Sequence, residues 1–491
     1  MSIDPCCDNE GGASRRSFLK SAASGFGWLA FAGILSEQAY GFDLGGKLNK
    51  VRPGIPQDPN DPLAPKQPHF AARAKRVIFL NMAGAPSHVD TFDYKPRLAT
   101  DNGKAAGGKL RGNWMASPFK FTPSGKSGLP ISELFPNVAQ HADSLCMLNG
   151  MYTDLPAHPQ ASVKLHTGNF QFVRPSMGAW ISYGLGTVNR NLPSFVTLSP
   201  DRGNGGAQNY GAAFLPAIHQ GTPINIGRAG RGGGAALANR GGGGDEGVAN
   251  LKSSRFDTKE QREQIDFLQA LNRERLRREK DPQVEGVIES FELAYRMQAE
   301  IPDLLDLSKE PKATQDMYGV GEQDTDAFAR QCLTARRLAQ AGVRYIQITK
   351  GGWDHHRNLK QAITDSTKAI DKPIGALLAD LARTGMLKDT LVMWGGEFGR
   401  TPYAQGNDGR DHNNKGFTMW LAGGGVKGGY AHGATDEHGY EAVAGRLSIH
   451  DWHATILHLM GVDHTRLTCQ HAGRDFRLTD VHGEVAKDIL A

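Results

Sequence analysis

The chain has 491 residues, of which 39% are hydrophobic and 22% charged, enough apolar content for a sizeable core and too much for wholesale disorder. A net charge of +5 over this length excludes the concentrated basic surplus of a dedicated nucleic-acid binder, and five cysteines do not make a disulfide scaffold. Glycine, at 61 residues, is well above the usual ~7% and marks a loop-rich globular protein.

The N-terminus reads Ser14-Arg15-Arg16-Ser17-Phe18-Leu19-Lys20, followed by an apolar run from Ser21 to Leu35. Paired arginines before a moderately apolar stretch form a twin-arginine export signal, and the run is too short and too rich in Gly and Ala for a spanning helix. Residues 1–39 are therefore expected to be a signal peptide ending near Ala39. The twin-arginine export machinery is the expected partner and the periplasm, or another exported location, the destination. No later segment is long and apolar enough to span a membrane. With the signal removed, Cys146, Cys332 and Cys469 remain, and no disulfide is expected.

Residues 40–70, with Pro53, Pro56, Pro59, Pro62, Pro65 and Pro68, read as an extended lead-in to a domain over 71–491. Arg76–Met82 predicts a buried strand that ends in a loop at Gly84, Pro86 and Ser87. Ile131–Cys146 predicts a helix with Leu134, Val138 and His141 on one side. A strand at Leu145–Leu148 then leads to a loop over Met151–Pro159. Residues 203–246 are Gly-rich and entropically hard to fix. The GxGxxG-like strings inside them follow no strand and carry little weight for nucleotide binding. Residues 254–330 turn helical, their charge runs reading as a solvated face, and predict a helical cap inserted over the site. From Val343 the pattern becomes strand, loop, helix and strand: Val343–Ile348, the loop Gly351–His356, a helix carrying Ile363, Ile370, Ile374, Leu377 and Leu381, and the strand Thr390–Trp394. A loop Gly395–Pro402, the segment Asp411–Asn414, a strand Phe417–Ala422 and a helix Trp452–Met460 complete it. Strands alternating with helices imply an α/β fold, a mostly parallel sheet sandwiched between helices. Ligands of such sheets sit beyond the carboxyl ends of the strands.

The polar clusters fall at those ends. Asp354 and His356, two apart in an extended loop, face the same way; with Glu397, Asp411, His412, His88 and Asp90 they suit one or two divalent metal ions. Two ions would clamp an anionic oxygen centre and activate water, as in hydrolases of phosphate and sulfate esters. Arg400 suits an anion by its guanidinium fork, or pairs with Glu397. Trp353, Trp394 and Trp452 read as packing residues, His458 as a helix-face residue and His453 as a support for the ligands.

The series NMAGAPSHVDTFDYKP (from Asn81), GGWDHH (from Gly351), WGGEFGRTP (from Trp394) and GRDHNNKGFTMWLAGGGVKGG (from Gly409) resembles the exported bacterial family of domain-of-unknown-function proteins numbered 1501. That family is called sulfatase-like and placed in the alkaline phosphatase superfamily. The resemblance implies an alkaline-phosphatase-like fold and metal ions such as zinc, manganese or calcium. Its implied substrate is a small anionic ester or a sulfated or phosphorylated glycan. It aligns Asp354 and His356 with a metal-binding pair, His412 with a third ligand of that metal, and Glu397 with a ligand of a second. Ala83 stands where the superfamily has a metal-binding Asp, so His88 or Asp90 has to substitute. Counting back nine residues from Thr167-Gly168 to the usual nucleophile position gives His158, a candidate for metal binding or acid/base work; Thr153 and Ser162 qualify as nucleophiles only if the loop is shifted. Cys332-Leu333-Thr334-Ala335-Arg336 mimics the sulfatase cysteine signature but lacks its proline, so Cys332 reads as a buried helix residue. Two functions follow as expectations: a metal-dependent hydrolase of anionic esters, or a non-catalytic envelope or binding protein that keeps the fold.

Overall fold

The computed structural model describes residues 61–108, 110–226, 257–279 and 282–491. The expected signal peptide, most of the lead-in and the Gly-rich stretch from 227 onward lie outside them. The strands, in chain order, are β1 (Arg76–Met82), β2 (Leu145–Tyr152), β3 (Phe195–Leu198), β4 (Thr222–Ile224), β5 (Tyr345–Lys350) and β6 (Thr390–Gly395). A hairpin follows, β7 (Gly399–Gln405) with β8 (Gly409–Asn413), and then β9 (Phe417–Ala422), β10 (Tyr430–His432) and β11 (Leu447–Ser448). The main sheet runs β10-β2-β9-β6-β1-β5-β3-β4, with β11 also on β2. Its central pairs, β6-β1-β5-β3-β4, are parallel; β9 alone runs against its neighbours β6 and β2.

Side chains alternate between two cores. Ile78, Leu80, Ile346, Ile348, Val392 and Trp394 belong to one, Val77, Phe79, Tyr345, Leu391 and Met393 to the other. This is the pattern of a sheet buried on both faces. Among the helices, in chain order, are α1 (His88–Thr91), α2 (His158–Thr167), α3 (Met177–Leu185), α4 (Thr258–Glu279), α5 (Pro282–Leu305), α6 (Asp326–Gln340), α7 (Leu359–Lys368), α8 (Asp371–Arg383) and α9 (Ile449–Leu459). α6 and α8 supply Leu333, Leu338, Ile374 and Leu377 to the first core. α3 and α9 supply Trp180, Ile181, Trp452 and Ile456 to the second. Ser448 and Asp451 close a capping box that starts α9, satisfying two backbone donors of its first turn. Trp353, Trp394 and Trp452 are all packing residues at 0–1% exposure, and Cys332 is buried in α6. Cys146, Cys332 and Cys469 are free thiols. Among the described residues no helix is long and apolar enough to cross a membrane.

Three local expectations are revised. Ile131–Cys146 is not a helix: Leu129–Ser132 pairs with Phe121–Ser124 in a small antiparallel hairpin, and only Val138–Ser144 winds, as a 3-10 helix. Pro130 and Pro136 interrupt the segment, and each removes a backbone donor that a continuous helix needs. The expected loop Gly395–Pro402 is in part a strand, since Gly399–Gln405 pairs with Gly409–Asn413. The helices expected to cap the site are seated elsewhere. Leu293, Met297 and Ile301 of α5 pack into the core with Ile218 and Ile224 beside the edge strand β4, while Glu300 accepts from Asn189 and Asn191. Those asparagines precede β3, at the amino ends of the strands, whereas the polar clusters lie at the carboxyl ends.

One buried ion pair braces the carboxyl edge. Arg410 of β8 donates to Asp90 of α1 through Nε at 2.7 Å and a terminal nitrogen at 3.1 Å, and both side chains are 0% exposed. Burial opposes ionisation of Asp90, but Arg410 outweighs it and holds the carboxyl below its usual range. Removing one partner strands a buried charge, a loss of about 3–5 kcal/mol. Asp90→Asn is expected to lower unfolding free energy by about 3 kcal/mol in a urea titration, with the secondary structure of the folded state unchanged.

Candidate metal centre

Four loops at the carboxyl edge bring side chains to one point. β5 ends at Lys350 and its loop carries Asp354 and His356; β6 ends at Gly395 and delivers Glu397; the β7-β8 hairpin presents Arg400, Gln405 and His412; α2, after β2, begins at His158. One ligand atom each from His158, Asp354, His356 and His412 lies within 4.8 Å of the others. Asp354 Oδ1 is the centre: it is 2.8 Å from Nε2 of His356, 3.1 Å from Nε2 of His158 and 3.4 Å from Nε2 of His412. The His356 and His412 Nε2 atoms are 3.0 Å apart. A tetrahedral zinc site with bonds of ~2.0–2.1 Å spaces its ligand atoms by roughly 3.3 Å; four of the separations here, 2.8–3.4 Å, lie near that value, and the whole set lies within 4.8 Å. Asp354 keeps 48% of its side chain exposed, so the cluster opens to solvent on one side.

The far nitrogen of every imidazole is already engaged. His158 Nδ1 faces Glu397 Oε1 at 2.6 Å, His412 Nδ1 faces the Pro156 carbonyl at 2.6 Å, and His356 Nδ1 faces Gln405 Oε1. These partners accept, so each Nδ1 is placed to carry a hydrogen and Nε2 is the nitrogen that faces inward. Three imidazole nitrogens and a carboxylate oxygen then converge, with the Arg400 guanidinium beside Asp354 Oδ1 at 2.6 Å and His356 Nε2 at 3.4 Å. A cation fits this donor set.

Protons compete for the same positions. Burial disfavours protonated His158, yet Glu397 and Asp354 outweigh burial and raise its pKa. Burial and the neighbouring Arg400 lower that of His412. Burial works against the Asp354 carboxylate too, but Arg400 and His158 hold its pKa well below the usual carboxylate range.

The other residues singled out in the sequence lie near the cluster without joining its four atoms. Glu397, 2% exposed, stands behind His158 and accepts from the Gly84 backbone N–H at 3.0 Å. Arg400 pairs with Asp354 at 2.6 Å, not with Glu397. Its other nitrogens donate to the carbonyls of Ala85, at 2.9 Å, and Gly84, while Nη1 faces His356 Nε2 at 3.4 Å and the Arg410 carbonyl at 3.5 Å. Fully buried and spent in this way, it braces the Asp354 loop and leaves no open fork for an anion. Asp411 Oδ1 accepts from the His412 backbone N–H. Asp90 is committed to Arg410, and His88 Nε2 contacts the Gly439 carbonyl at 2.7 Å, so neither replaces the acid that Ala83 lacks. His453 contacts the Leu165 carbonyl at 2.8 Å, away from the ligands. Ser162 is buried and accepts from Asn209, while Thr153 donates to Asp154; neither hydroxyl reaches the cluster. Gln405 and the Pro156 carbonyl are the members that spacing in the sequence did not reveal.

A family model described as "Protein of unknown function (DUF1501)" matches residues 74–490. The chain belongs to this family. Among solved structures, this family member is similar to the lipoteichoic acid synthase LtaP from Listeria monocytogenes, at 8% identity and a TM-score of 0.38, over 84% of this chain and 76% of that one. It is also similar to the PsFucS1 sulfatase from Pseudoalteromonas sp., at 13% identity and 0.33, over 79% and 68%. A third is the alkaline phosphatase from the Antarctic bacterium TAB5, at 12% identity and 0.28, over 72% and 92%. No curated protein matches the chain.

Gly84 sets the spacing of the centre. It adopts φ +110°, and a Cβ there would lie 2.8 Å from the Asp354 backbone nitrogen and 2.9 Å from that of Trp353, closer than carbon can approach rigid backbone. Gly84→Ala is expected to push the Asp354 loop outward and weaken divalent-ion binding by ~10-fold or more, read by metal titration of the folded variant.

Proposed function

We propose that this DUF1501 protein is an exported metal-dependent hydrolase of anionic esters, with His158, Asp354, His356 and His412 holding one divalent ion. The observation that carries the reading is the convergence of three inward-facing Nε2 atoms on Asp354 Oδ1 at 2.8–3.4 Å. Three imidazoles and one carboxylate suit zinc or manganese better than calcium, which takes six to eight oxygen ligands. A single ion replaces the pair considered from the sequence, because Asp90 is committed to Arg410 and Glu397 to His158 and Gly84.

When bound, such an ion supplies Lewis-acid polarisation of an ester's anionic oxygens and makes water more acidic. The chain's residues provide the rest. The exposed side of Asp354 leaves room for a ligand, and Arg400 keeps that carboxylate ionised and in place. With Ser162 and Thr153 turned elsewhere, the reading favours attack by water over a covalent hydroxyl intermediate. Phosphate or sulfate esters, free or on a glycan, are the substrate class that the motifs suggest.

A second reading, a binding protein that keeps the metal and does no chemistry, draws on the absence of an open cationic fork at the cluster, Arg400 being fully engaged. One experiment separates them. Purified protein is expected to carry one zinc or manganese ion per chain, lost in His412→Ala. Screened against phosphate monoesters, phosphate diesters and sulfate esters with added zinc, manganese or calcium, the wild type should hydrolyse one class, and the variant should fall by at least ~100-fold in kcat/KM. Metal-bound protein inert to all three classes supports the binder; a metal-free active protein sinks the metal reading. Export is tested separately: Arg15→Lys with Arg16→Lys is expected to leave the precursor in the cytoplasm on cell fractionation.

A further inference from the structure

We infer that Glu397 is a positioning residue for the ion rather than one of its ligands: it orients His158 so that Nε2 faces the other three ligand atoms. The inference rests on the metal reading above and extends it to the groups behind the ligands. Three acceptors stand behind the three imidazoles, and they differ in kind. His356 has the side-chain amide of Gln405, His412 the backbone carbonyl of Pro156, and His158 the carboxylate of Glu397.

The three acceptors are therefore unequal in what they do. A carboxylate accepting the Nδ1 hydrogen leaves more negative charge on the imidazole than a neutral carbonyl does, and so makes Nε2 the better donor to a cation. Glu397 is also the best fixed of the three. It is 2% exposed, its Oε1 is 2.6 Å from His158 Nδ1 and 3.0 Å from the Gly84 N–H, and its Oε2 is 3.3 Å from that same N–H. The His158 ring is held from the side as well, with its centroid 4.7 Å from that of Phe398, the residue after Glu397. Carboxylate, backbone amide and aromatic ring leave the imidazole one orientation. The two carboxylates on the His158 ring then have separate tasks. Asp354 shares the ion with Nε2, and Glu397, on the opposite nitrogen, takes no part in the coordination.

The test uses zinc on the full mature chain, with apparent affinity measured by competition against a chromophoric chelator. Glu397→Gln keeps an oxygen that accepts from both Nδ1 and the Gly84 N–H but removes the charge; it is expected to bind one zinc 10- to 100-fold more weakly. Glu397→Ala, which removes the acceptor altogether, should be weaker still, and Gln405→Leu should lose less than Glu397→Ala. The decisive comparison is with His158→Ala. If Glu397 acts through His158, adding Glu397→Gln to His158→Ala costs no further affinity. Cobalt substituted for zinc gives a second readout, with visible bands expected to shift in Glu397→Gln at unchanged stoichiometry. Wild-type affinity in Glu397→Gln, or losses that add in the double variant, overturns the positioning role while leaving the metal centre standing. A wild-type chain that binds no zinc overturns both, and is distinguished by its failure before any substitution is made.

Discussion

At the carboxyl edge of the sheet, the turn after β1 and the loop after β5 are in backbone contact, and this contact is possible only because residue 84 has no side chain. The same residue donates its N–H to Glu397 and its carbonyl accepts from Arg400. Arg400 reaches on to Asp354, and Glu397 reaches on to His158. Two chains of hydrogen bonds, one to the carboxylate and one to an imidazole, thus leave from the two backbone groups of a single residue. The neighbouring Ala85 sits at φ +64°, a conformation costing roughly 1–2 kcal/mol for an L-residue, and its carbonyl is also bound by Arg400. The strain and the buried guanidinium are parts of one device that holds the loop bearing Asp354 and His356.

Electrostatics distributes the acidic residues between structure and chemistry. Asp90 and Arg410 neutralise each other below the hairpin, where water cannot screen them. Asp354, with an arginine on one side and three imidazoles around the same oxygen, remains partly in solvent. Glu397 is as buried as Asp90 but faces a histidine and a backbone amide instead of an arginine. Three carboxylates read from the sequence as equivalent ligand candidates therefore have three tasks, decided by which cation or donor each can reach.

Much of this was legible from residue order, and the rest was hidden for identifiable reasons. The central strands announce themselves because both faces are buried, giving the unbroken apolar runs of Val77–Leu80 and Leu391–Trp394. The placement of Asp354, His356, His158 and His412 at strand ends followed from the alternating pattern and from the family's motifs. Ile131–Cys146 misled because its apolar spacing fits a helix while its prolines do not. The hairpin at Gly399–Asn413 was missed because its strands are polar, their partners being each other and not the core. Gln405 had no signal, since one amide in a loop says nothing until the hairpin folds it back onto His356. The position of α4 and α5 was beyond reach for a related reason: an amphipathic helix states which face it buries but not which end of a sheet receives it.

The hairpin also changes how the centre comes together. β6 and β9 are antiparallel neighbours, so everything between them is one excursion whose two ends are tied side by side. Glu397, Arg400, Gln405 and His412 all ride on it. His356 and His412 are separated by 56 residues, while His158 and Asp354 are separated by 196. Because the entropy of ring closure grows with the logarithm of length, the longer connection costs about 1 kcal/mol more. Three members of the site therefore come from nearby chain, whereas His158 is joined to Asp354 across 196 residues. Glu397, fixed by the Gly84 N–H, offers that distant side chain a single docking orientation.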